Sequence, residues 1–189
     1  QSVPLVADVH FNAAVADSAA TTVEKVRVNP GNYVAGIKSD TSNGYTTEEY
    51  EQEFRKIEER FTAFLKICKA NNTAIRIGVN HGSLSERMLL TWGDTAKGMV
   101  ESCMEFLRIC RKNDFSNLVI SMKASNTVMM IQAVRLLVVQ MELEGFQFPI
   151  HLGVTEAGDG EDGRVKSAVG IGGLLAEGIG DTIRVSLSE

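Results

Sequence analysis

Short apolar runs alternate along the chain with longer stretches in which apolar residues recur every three or four positions. The first pattern predicts β-strands and the second predicts amphipathic helices. Six candidate strands cover residues 5–9, 26–28, 74–79, 118–122, 150–154 and 182–187. Because strands and helices alternate, we expect parallel pairing with right-handed crossovers, in a single domain.

The helices between these strands are marked by stripes and caps. Thr46 and Glu49 have the spacing of a capping box, and a long apolar stripe follows them. Ser83 predicts the start of a short helix, and a second stripe covers residues 100–110. Asn126 or Thr127 can cap the next helix, and a last helix is expected at about 165–177. We interpret residues 34–45 as a surface loop and the acidic, glycine-rich residues 158–163 as a flexible lid.

Polar residues follow every predicted strand, instead of clustering after one or two of them. In parallel α/β proteins, ligands bind at the carboxyl ends of the strands. No GxGxxG follows the first predicted strand, and the chain carries no GxxxxGK(S/T) motif, which weighs against a dinucleotide fold or a P-loop. The pattern favours a parallel TIM-type (β/α) barrel, of which six of the usual eight strands are present.

Charge and length restrict the partners. Lys and Arg total 19 against 24 Asp and Glu, a net charge of −5, so we expect no nucleic-acid partner. No apolar run approaches the ~18 residues that a membrane helix needs, so no membrane association is expected. An anion would have to be held by locally focused cations. The candidates are Arg27, Arg76, Lys123 and Arg184.

The cysteines and histidines do not have metal-site spacing. Cys68, Cys103 and Cys110 form no CxxC motif and are expected to be buried thiols. Their odd number, without a signal peptide, indicates a reducing compartment, which we take to be the cytoplasm. The three histidines show no HxH or HExxH spacing, so no metal site is predicted.

Several strand-end residues are candidates for chemistry. Arg27 and Arg76 can bind phosphate bidentately, or each can pair with a carboxylate such as Asp8 or Glu156. Lys123 is a phosphate-binding cation, an amine nucleophile or an ion-paired residue, and its surroundings in the sequence do not decide which. Glu156 is the best candidate for a general acid or base, with a structural ion pair as the alternative.

The histidines differ in their expected places. His10 and His81 end strands and can donate or accept a hydrogen bond to a ligand. His151 begins its strand, which would put it at the opposite end of the sheet, so we expect a structural role for it.

Six motifs together closely resemble one enzyme family, 4-hydroxy-3-methylbut-2-enyl diphosphate synthase of the methylerythritol phosphate route to isoprenoids. The motifs are Val6-Ala-Asp-Val-His10, Val26-Arg-Val-Asn-Pro-Gly-Asn32, Ile75-Arg-Ile-Gly-Val-Asn-His-Gly-Ser83, Ser121-Met-Lys-Ala-Ser125, His151-Leu-Gly-Val-Thr-Glu-Ala-Gly158 and Gly180-Asp-Thr-Ile-Arg-Val-Ser186. They cover nearly the whole chain in order. The long loop and helix after Asn32 resemble those of the larger, plant-type members.

The resemblance implies a barrel that binds 2-C-methyl-D-erythritol 2,4-cyclodiphosphate. It also implies a separate C-terminal domain with a [4Fe-4S] cluster, which receives two electrons from ferredoxin or flavodoxin so that the ring opens and water leaves. The family pattern assigns the diphosphate to Arg27, Arg76, Lys123, Arg184 and Ser186, with Asn29 and Asn80 nearby. It assigns the substrate's hydroxyl groups to Asp8, His10, Thr155 and Glu156, with Glu156 as the catalytic proton donor or acceptor.

The departures from the family pattern define what this chain lacks. Family members have two further strands before the equivalent of Val3, cluster cysteines beyond the equivalent of Glu189 and, in the plant type, an insertion domain. We therefore expect residues 1–189 to be an incomplete substrate-binding barrel, inactive alone and binding no cofactor itself. For a plant or algal protein the compartment would be a plastid. Exposed sheet edges would favour association, such as a homodimer.

Two rival functions remain open at this point. The chain could be a phosphate- or pterin-binding barrel of another family, complete without a cluster. It could also be a non-catalytic anion-binding domain that has kept the barrel and lost the reaction.

Overall fold

The computed structural model describes residues 3–10, 12–34 and 45–186. Most of the predicted surface loop, residues 35–44, therefore lies outside the described residues. The strands are β1 Val6–Asp8, β2 Lys25–Val28, β3 Ala74–Asn80, β4 Leu118–Lys123, β5 His151–Leu152 and β6 Thr182–Ile183. The helices are α1 Ala13–Ala19, α2 Thr47–Asn71, α3 Glu86–Trp92, α4 Ala96–Lys112, α5 Thr127–Leu143 and α6 Gly160–Ala176. Short 3-10 turns, Pro30–Asn32 and His81–Ser83, follow β2 and β3.

All six strands are parallel and are arranged in chain order. Strands β1 to β4 form one sheet, and β5 pairs with β6. A parallel bridge between Ile120 and Ile150 connects the two sheets. The strand–helix alternation predicted from the sequence is confirmed, and the arrangement is that of a partial TIM barrel. Among the described residues, no helix combines the length and apolarity needed to cross a membrane.

The long helix α2 shows how local sequence sets an element. The Thr46 hydroxyl accepts a bond from the Glu49 amide at 3.2 Å, and the Glu49 carboxylate accepts one from the Thr46 amide at 2.9 Å. This reciprocal pair satisfies two free amides at the start of the helix. The apolar stripe then buries Phe61 and Phe64 in the core. Asn72, in the left-handed region with a φ of 55°, ends the helix.

An aromatic cluster fixes the turn after β2 against two helices. The Tyr33 ring meets Phe61 of α2 edge-on at 5.4 Å between centroids and Phe106 of α4 at 5.7 Å. Such edge-to-face pairs add about 0.5–1.5 kcal/mol beyond the area they bury. The carboxyl end of β2 is thereby held against the helical layer.

Two helix starts differ from the sequence expectation. Ser85, not Ser83, caps α3, because its hydroxyl accepts the Met88 amide at 3.3 Å. Helix α6 begins at Gly160 instead of about residue 165. Most of the predicted lid is therefore the first turn of α6, where Glu161 and Asp162 interact favourably with the positive end of the helix dipole.

A buried ion pair joins the helices behind β3. The Arg87 guanidinium of α3, 1% exposed, donates to both carboxylate oxygens of Glu105 in α4, at 2.7 and 2.6 Å. The Tyr50 hydroxyl of α2 donates to the same carboxylate at 2.6 Å, and its ring lies 4.3 Å from the guanidinium carbon. One carboxylate therefore holds three helices together.

Replacing Arg87 with methionine should lower the free energy of unfolding by about 3–5 kcal/mol, because the Glu105 carboxylate would be left buried without its cation. The matched control is Arg55→Met, since Arg55 forms only an exposed pair with Glu51 and should contribute under about 1 kcal/mol. Urea unfolding of both variants measures the difference. Equal losses would contradict the role assigned to the buried pair.

Candidate functional site

Two cavities lie at the carboxyl ends of the strands and share five lining residues. The larger, about 690 Å³, is lined by His10, Asn32, Asn80, His81, Gly82, Ser83, Lys123, Ser125, Val154, Thr155, Glu156, Arg184 and Ser186. The smaller, about 100 Å³, is lined by Asp8, His10, Arg27, Arg76, Asn80, Ser121, Lys123, Thr155 and Arg184. Every site residue predicted from the sequence, except Asn29, lines one or both.

Asp8, Arg27 and Arg76 form one row across the first three strands. The sheet register pairs Asp8 with Arg27 and Arg27 with Arg76, so the three side chains project from the same level. The Asp8 carboxylate lies 3.0 Å from the Arg27 guanidinium and 3.6 Å from that of Arg76. The alternative in which arginines pair with a carboxylate is thus realised through Asp8, and no ion pair of Glu156 occurs within the described part of the chain.

A glycine in β3 makes room for the buried arginine. The Arg27 guanidinium, 4% exposed, crosses β3 and donates to the Gly78 carbonyl at 2.8 Å. A Cβ on Gly78 would lie 2.5 Å from the Arg27 Nε, which is closer than any side chain allows. The absence of a side chain at Gly78 therefore permits the arginine side chain to lie directly against the backbone of β3.

Lys123 and Arg184 complete the positive lining. Lys123 ends β4 and is buried, and a Cβ on Gly153 would come within 3.3 Å of its ammonium nitrogen. Arg184 follows β6 and is exposed. In the described ranges neither side chain is within ion-pair distance of a carboxylate. Four cations therefore share one acidic neighbour in the smaller cavity, Asp8, and leave positive charge uncompensated.

Burial and this surplus of charge shift the pKa values of the cations in the site. Burial lowers the pKa of Arg27 and of Arg76, and Asp8 offsets part of the effect. Burial, followed by the charges of Arg76, Arg184 and Arg27, lowers the pKa of Lys123 to about 8. A bound anion would raise these pKa values again. Its oxygens would replace the water that the buried cations have lost, and its charge would offset the repulsion between them.

His10 lies against the arginine row. Its ring nitrogens are 2.9 Å from the Arg27 Nη1, and its Nε2 is 3.3 Å from the Asp8 carboxylate. Burial, then the charge of Arg27, lowers the pKa of His10, with Asp8 acting in the opposite direction. The neutral ring can accept a hydrogen bond from the guanidinium and orient it.

Asn29 and Asn80 differ in their accessibility to a ligand. The Asn29 amide nitrogen donates to the Ser83 hydroxyl at 2.8 Å, and its oxygen accepts the Gly31 amide at 3.2 Å. Asn29 thus connects the turns that follow β2 and β3, outside the two cavities. Asn80 lines both. Ser121 also lines the smaller cavity, and its spacing of two residues from Lys123 is the sequence signal that puts both on one face of β4.

Thr155 and Glu156 are held at the rim by the backbone after β5. The Thr155 amide donates to the Ala124 carbonyl at 3.2 Å, which ties this segment to the end of β4. Glu156 has a φ of 51°, in the left-handed region that a glutamate seldom adopts. Its carboxylate is exposed and lines the larger cavity, where it can exchange a proton with a ligand group.

His151 and the cysteines lie apart from this lining. The His151 Nδ1 lies 2.8 Å from the Thr182 hydroxyl, and burial, followed by the charge of Lys123, lowers its pKa to about 4. Cys68 in α2, and Cys103 and Cys110 in α4, are buried free thiols. Burial raises the pKa of Cys68 and Cys103 to about 12 and that of Cys110 as well.

These thiols do not fit an iron–sulfur cluster. Cluster ligation requires several cysteine side chains grouped around one cluster. The described residues contain no group of three or more His, Cys, Asp or Glu side chains placed to hold a metal ion. The described strand ends offer cations and a carboxylate, which are groups suited to anion binding and proton exchange.

Comparisons with known proteins agree on one family. A family model described as the GcpE TIM-barrel domain matches residues 1–189. The 4-hydroxy-3-methylbut-2-en-1-yl diphosphate synthase (flavodoxin) of Bacteroides thetaiotaomicron is 68% identical over 187 residues, which are 99% of this chain and 30% of that protein. The chloroplastic synthase (ferredoxin) of Arabidopsis thaliana is 55% identical over 188 residues, which are 100% of this chain and 25% of that protein. The chain spans under a third of the length of these relatives.

Substituting Gly78 with alanine should weaken the binding of inorganic pyrophosphate about tenfold or more. The added methyl group displaces the Arg27 guanidinium, and a hydrogen bond to a charged group contributes about 1.5–3 kcal/mol. Gly172→Ala is the control, because a Cβ on this helical glycine meets nothing within 4 Å. Calorimetric titration with pyrophosphate measures the affinity of both variants. Unchanged affinity in a folded Gly78→Ala variant would show that Arg27 need not occupy this position.

Pyrophosphate binding should weaken as the pH rises from 7 to 9. Lys123 has its pKa lowered to about 8, so its charged form dominates below that pH and is lost above it. Anion binding favours the charged form, so titrations near pH 8 should show proton uptake. The Lys123→Arg variant keeps its charge over this range, so it should show neither this loss of affinity nor this proton uptake. The ionisation of pyrophosphate itself affects both proteins equally, so the difference between their pH profiles reports on Lys123. Identical pH profiles would contradict this assignment.

Proposed function

The chain belongs to the GcpE TIM-barrel family, and from that premise we propose that it forms the substrate-binding barrel of a 4-hydroxy-3-methylbut-2-enyl diphosphate synthase. The proposed substrate is 2-C-methyl-D-erythritol 2,4-cyclodiphosphate, which the enzyme converts reductively to 4-hydroxy-3-methylbut-2-enyl diphosphate. The observation that carries the proposal is the lining of the smaller cavity, where four cations, Arg27, Arg76, Lys123 and Arg184, lie with one carboxylate, Asp8. A diphosphate offers the negative charge and the bidentate oxygens that such a lining lacks.

The division of roles follows from the burial of each side chain. Arg27, Arg76 and Lys123 are recessed and would hold the diphosphate, with Arg184 closing over it from the exposed end. Asp8 would keep the two recessed guanidinium groups aligned before the substrate arrives. Preorganised charges of this kind stabilise a bound anion without reorganising at the moment of binding.

The other lining residues would divide between the two parts of the substrate. Ser186, with Asn80 nearby, would add a neutral donor to the diphosphate, and Thr155 and His10 would lie beside the hydroxyl groups. Glu156 is the proposed proton donor or acceptor, since its carboxylate is free of ion pairs in the described residues and faces the cavity rim.

The two electrons of the reaction are proposed to come from a protein donor. The names of the relatives include flavodoxin in Bacteroides thetaiotaomicron and ferredoxin in Arabidopsis thaliana. The [4Fe-4S] cluster of the proposed enzyme would be bound outside this chain, since its buried thiols do not suit ligation. The corresponding compartments would be the bacterial cytoplasm and the plastid.

The sheet edges support an incomplete barrel as the proposed domain. Val6 in β1 and Ile183 in β6 are at least half exposed although they are apolar, and so are Leu5 before β1 and Val185 after β6. Further strands pairing at these edges would cover them and complete the barrel. Association into a homodimer remains a separate prediction, to be checked by the mass of the intact protein in solution.

Replacing Arg76 with alanine in the intact protein should weaken binding of the cyclodiphosphate at least tenfold, because a recessed cation facing the anion is removed. The control is Arg164→Ala, which deletes an exposed arginine of α6 outside both cavities. Calorimetry with cyclodiphosphate, and with a pterin as a competing ligand class, provides the measurement. Unaltered cyclodiphosphate affinity in Arg76→Ala, or preference for the pterin, would refute the proposed function.

A further inference from the structure

We propose that His81 is a further ligand-binding residue of this site, contacting a phosphate oxygen, and that Asp94 is its positioning residue. This inference rests on the proposed function, in that the ligand is taken to carry a diphosphate. His81 lines the larger cavity together with Lys123 and Arg184. Asp94 comes from the segment between α3 and α4, which lies outside every motif that points to the site.

The turn that carries His81 is fixed by its neighbours. Strand β3 ends at Asn80, and the 3-10 turn His81–Ser83 follows directly. The Ser83 hydroxyl accepts a bond from the Asn29 amide at 2.8 Å and donates to the Asn80 carbonyl at 3.3 Å. The turn after β2 packs so closely that a Cβ on Gly31 would lie 1.7 Å from the Ser83 carbonyl oxygen. The backbone of His81 therefore has little freedom to leave the cavity wall.

The segment that carries Asp94 is also ordered by local bonds. The Thr95 hydroxyl accepts the Gly98 amide at 3.1 Å as the cap of α4, and donates to the Trp92 carbonyl at 2.9 Å. The Lys97 ammonium lies 4.4 Å from the centre of the Trp92 ring. Asp94 is thereby presented to His81 from a defined direction.

The contact between the two residues leaves one ring nitrogen available. The His81 Nε2 lies 2.7 Å from an Asp94 carboxylate oxygen, within ion-pair distance but not aligned as a hydrogen bond. Catalytic and binding-site contacts are often misaligned before the ligand binds. Nδ1 of His81 has no hydrogen-bond partner in the described ranges. A carboxylate beside Nε2 favours a proton on that nitrogen, and in the protonated ring Nδ1 also carries a hydrogen that can be donated to a phosphate oxygen.

Charge explains why a histidine–aspartate pair suits this place. The site already holds uncompensated cations, so another lysine or arginine would add to the repulsion. An imidazolium paired with Asp94 donates a hydrogen bond from Nδ1 and adds no net charge. The other ionisable groups that line the same cavity are His10, Lys123, Glu156 and Arg184. Among these, only Glu156 is acidic, and it lies on the segment after β5.

The test is calorimetric titration of the intact protein with inorganic pyrophosphate at constant salt. His81→Ala should weaken binding about tenfold, the loss expected for one charge-assisted hydrogen bond. His81→Asn puts an amide near the position of Nδ1 and should keep most of the affinity. His81→Gln reaches toward the position of Nε2 and should behave like His81→Ala. Unchanged binding in His81→Ala would overturn the inference.

Asp94→Asn tests the positioning role. It should weaken pyrophosphate binding about threefold and shift the side-chain nitrogen signals of His81 in NMR spectra, since the bias between the two tautomers is reduced. The double variant His81→Ala with Asp94→Asn should bind no worse than His81→Ala alone, because Asp94 acts through His81. Fully additive losses, or unmoved nitrogen signals, would contradict the role of Asp94. Asp114→Asn, an exposed carboxylate remote from the motifs, is the matched control and should bind normally.

The outcomes separate this inference from the proposed function. If wild-type protein binds pyrophosphate and Arg76→Ala weakens it while His81→Ala does not, only the inference about His81 fails. If wild-type protein binds neither pyrophosphate nor the cyclodiphosphate, both fail. If pyrophosphate binding depends on His81 but the cyclodiphosphate is not bound, the contact to phosphate stands and the proposed substrate is wrong.

Discussion

Uncompensated positive charge inside the open end of the barrel is the constraint on which the site depends. Burying a guanidinium or ammonium group is costly unless a counter-charge and hydrogen bonds replace its hydration. Arg27 obtains both, from Asp8 and from the Gly78 carbonyl, but Arg76 shares the same carboxylate and Lys123 has none in the described residues. An anion would supply the negative charge that Arg76 and Lys123 lack. The strands hold the cations close together although the cations repel one another.

An arginine and a carboxylate also meet in the helical layer, outside the site, and there they serve packing. Arg87 and Glu105 form a balanced, bidentate pair that is closed to solvent and further bonded by Tyr50. That pair leaves the two charges satisfied by each other, so it stabilises the packing of three helices and offers little to a ligand. A buried arginine thus stabilises the packing where a carboxylate matches it, and is available to an anion where cations outnumber carboxylates.

Small residues determine how close the charged groups come to the backbone. At Gly78, the space that a side chain would fill is taken by the Arg27 side chain, and at Gly153 by the Arg184 carbonyl oxygen together with the end of the Lys123 side chain. At Gly31, it is taken by the backbone of the next turn, which also carries the bond between Asn29 and Ser83. Asn29 thus contributes to the site by fixing the turn that carries His81, instead of facing the cavity.

The alternation of strands and helices could be predicted from the amino-acid sequence, because it depends on local periodicity and on helix caps. The sequence also determined which residues follow the strands, and parallel pairing then requires those residues to meet at one end. The pairing of Asp8 with both Arg27 and Arg76 could be seen only in the folded structure, since it depends on the register of three strands that are far apart in the sequence. Three further features depend on neighbours outside the local sequence: the bond of Asn29 to Ser83, which leaves Ser85 to cap α3, the lowered pKa of Lys123 and the approach of Asp94 to His81. Contacts between segments far apart in the chain leave no local signal from which they could be read.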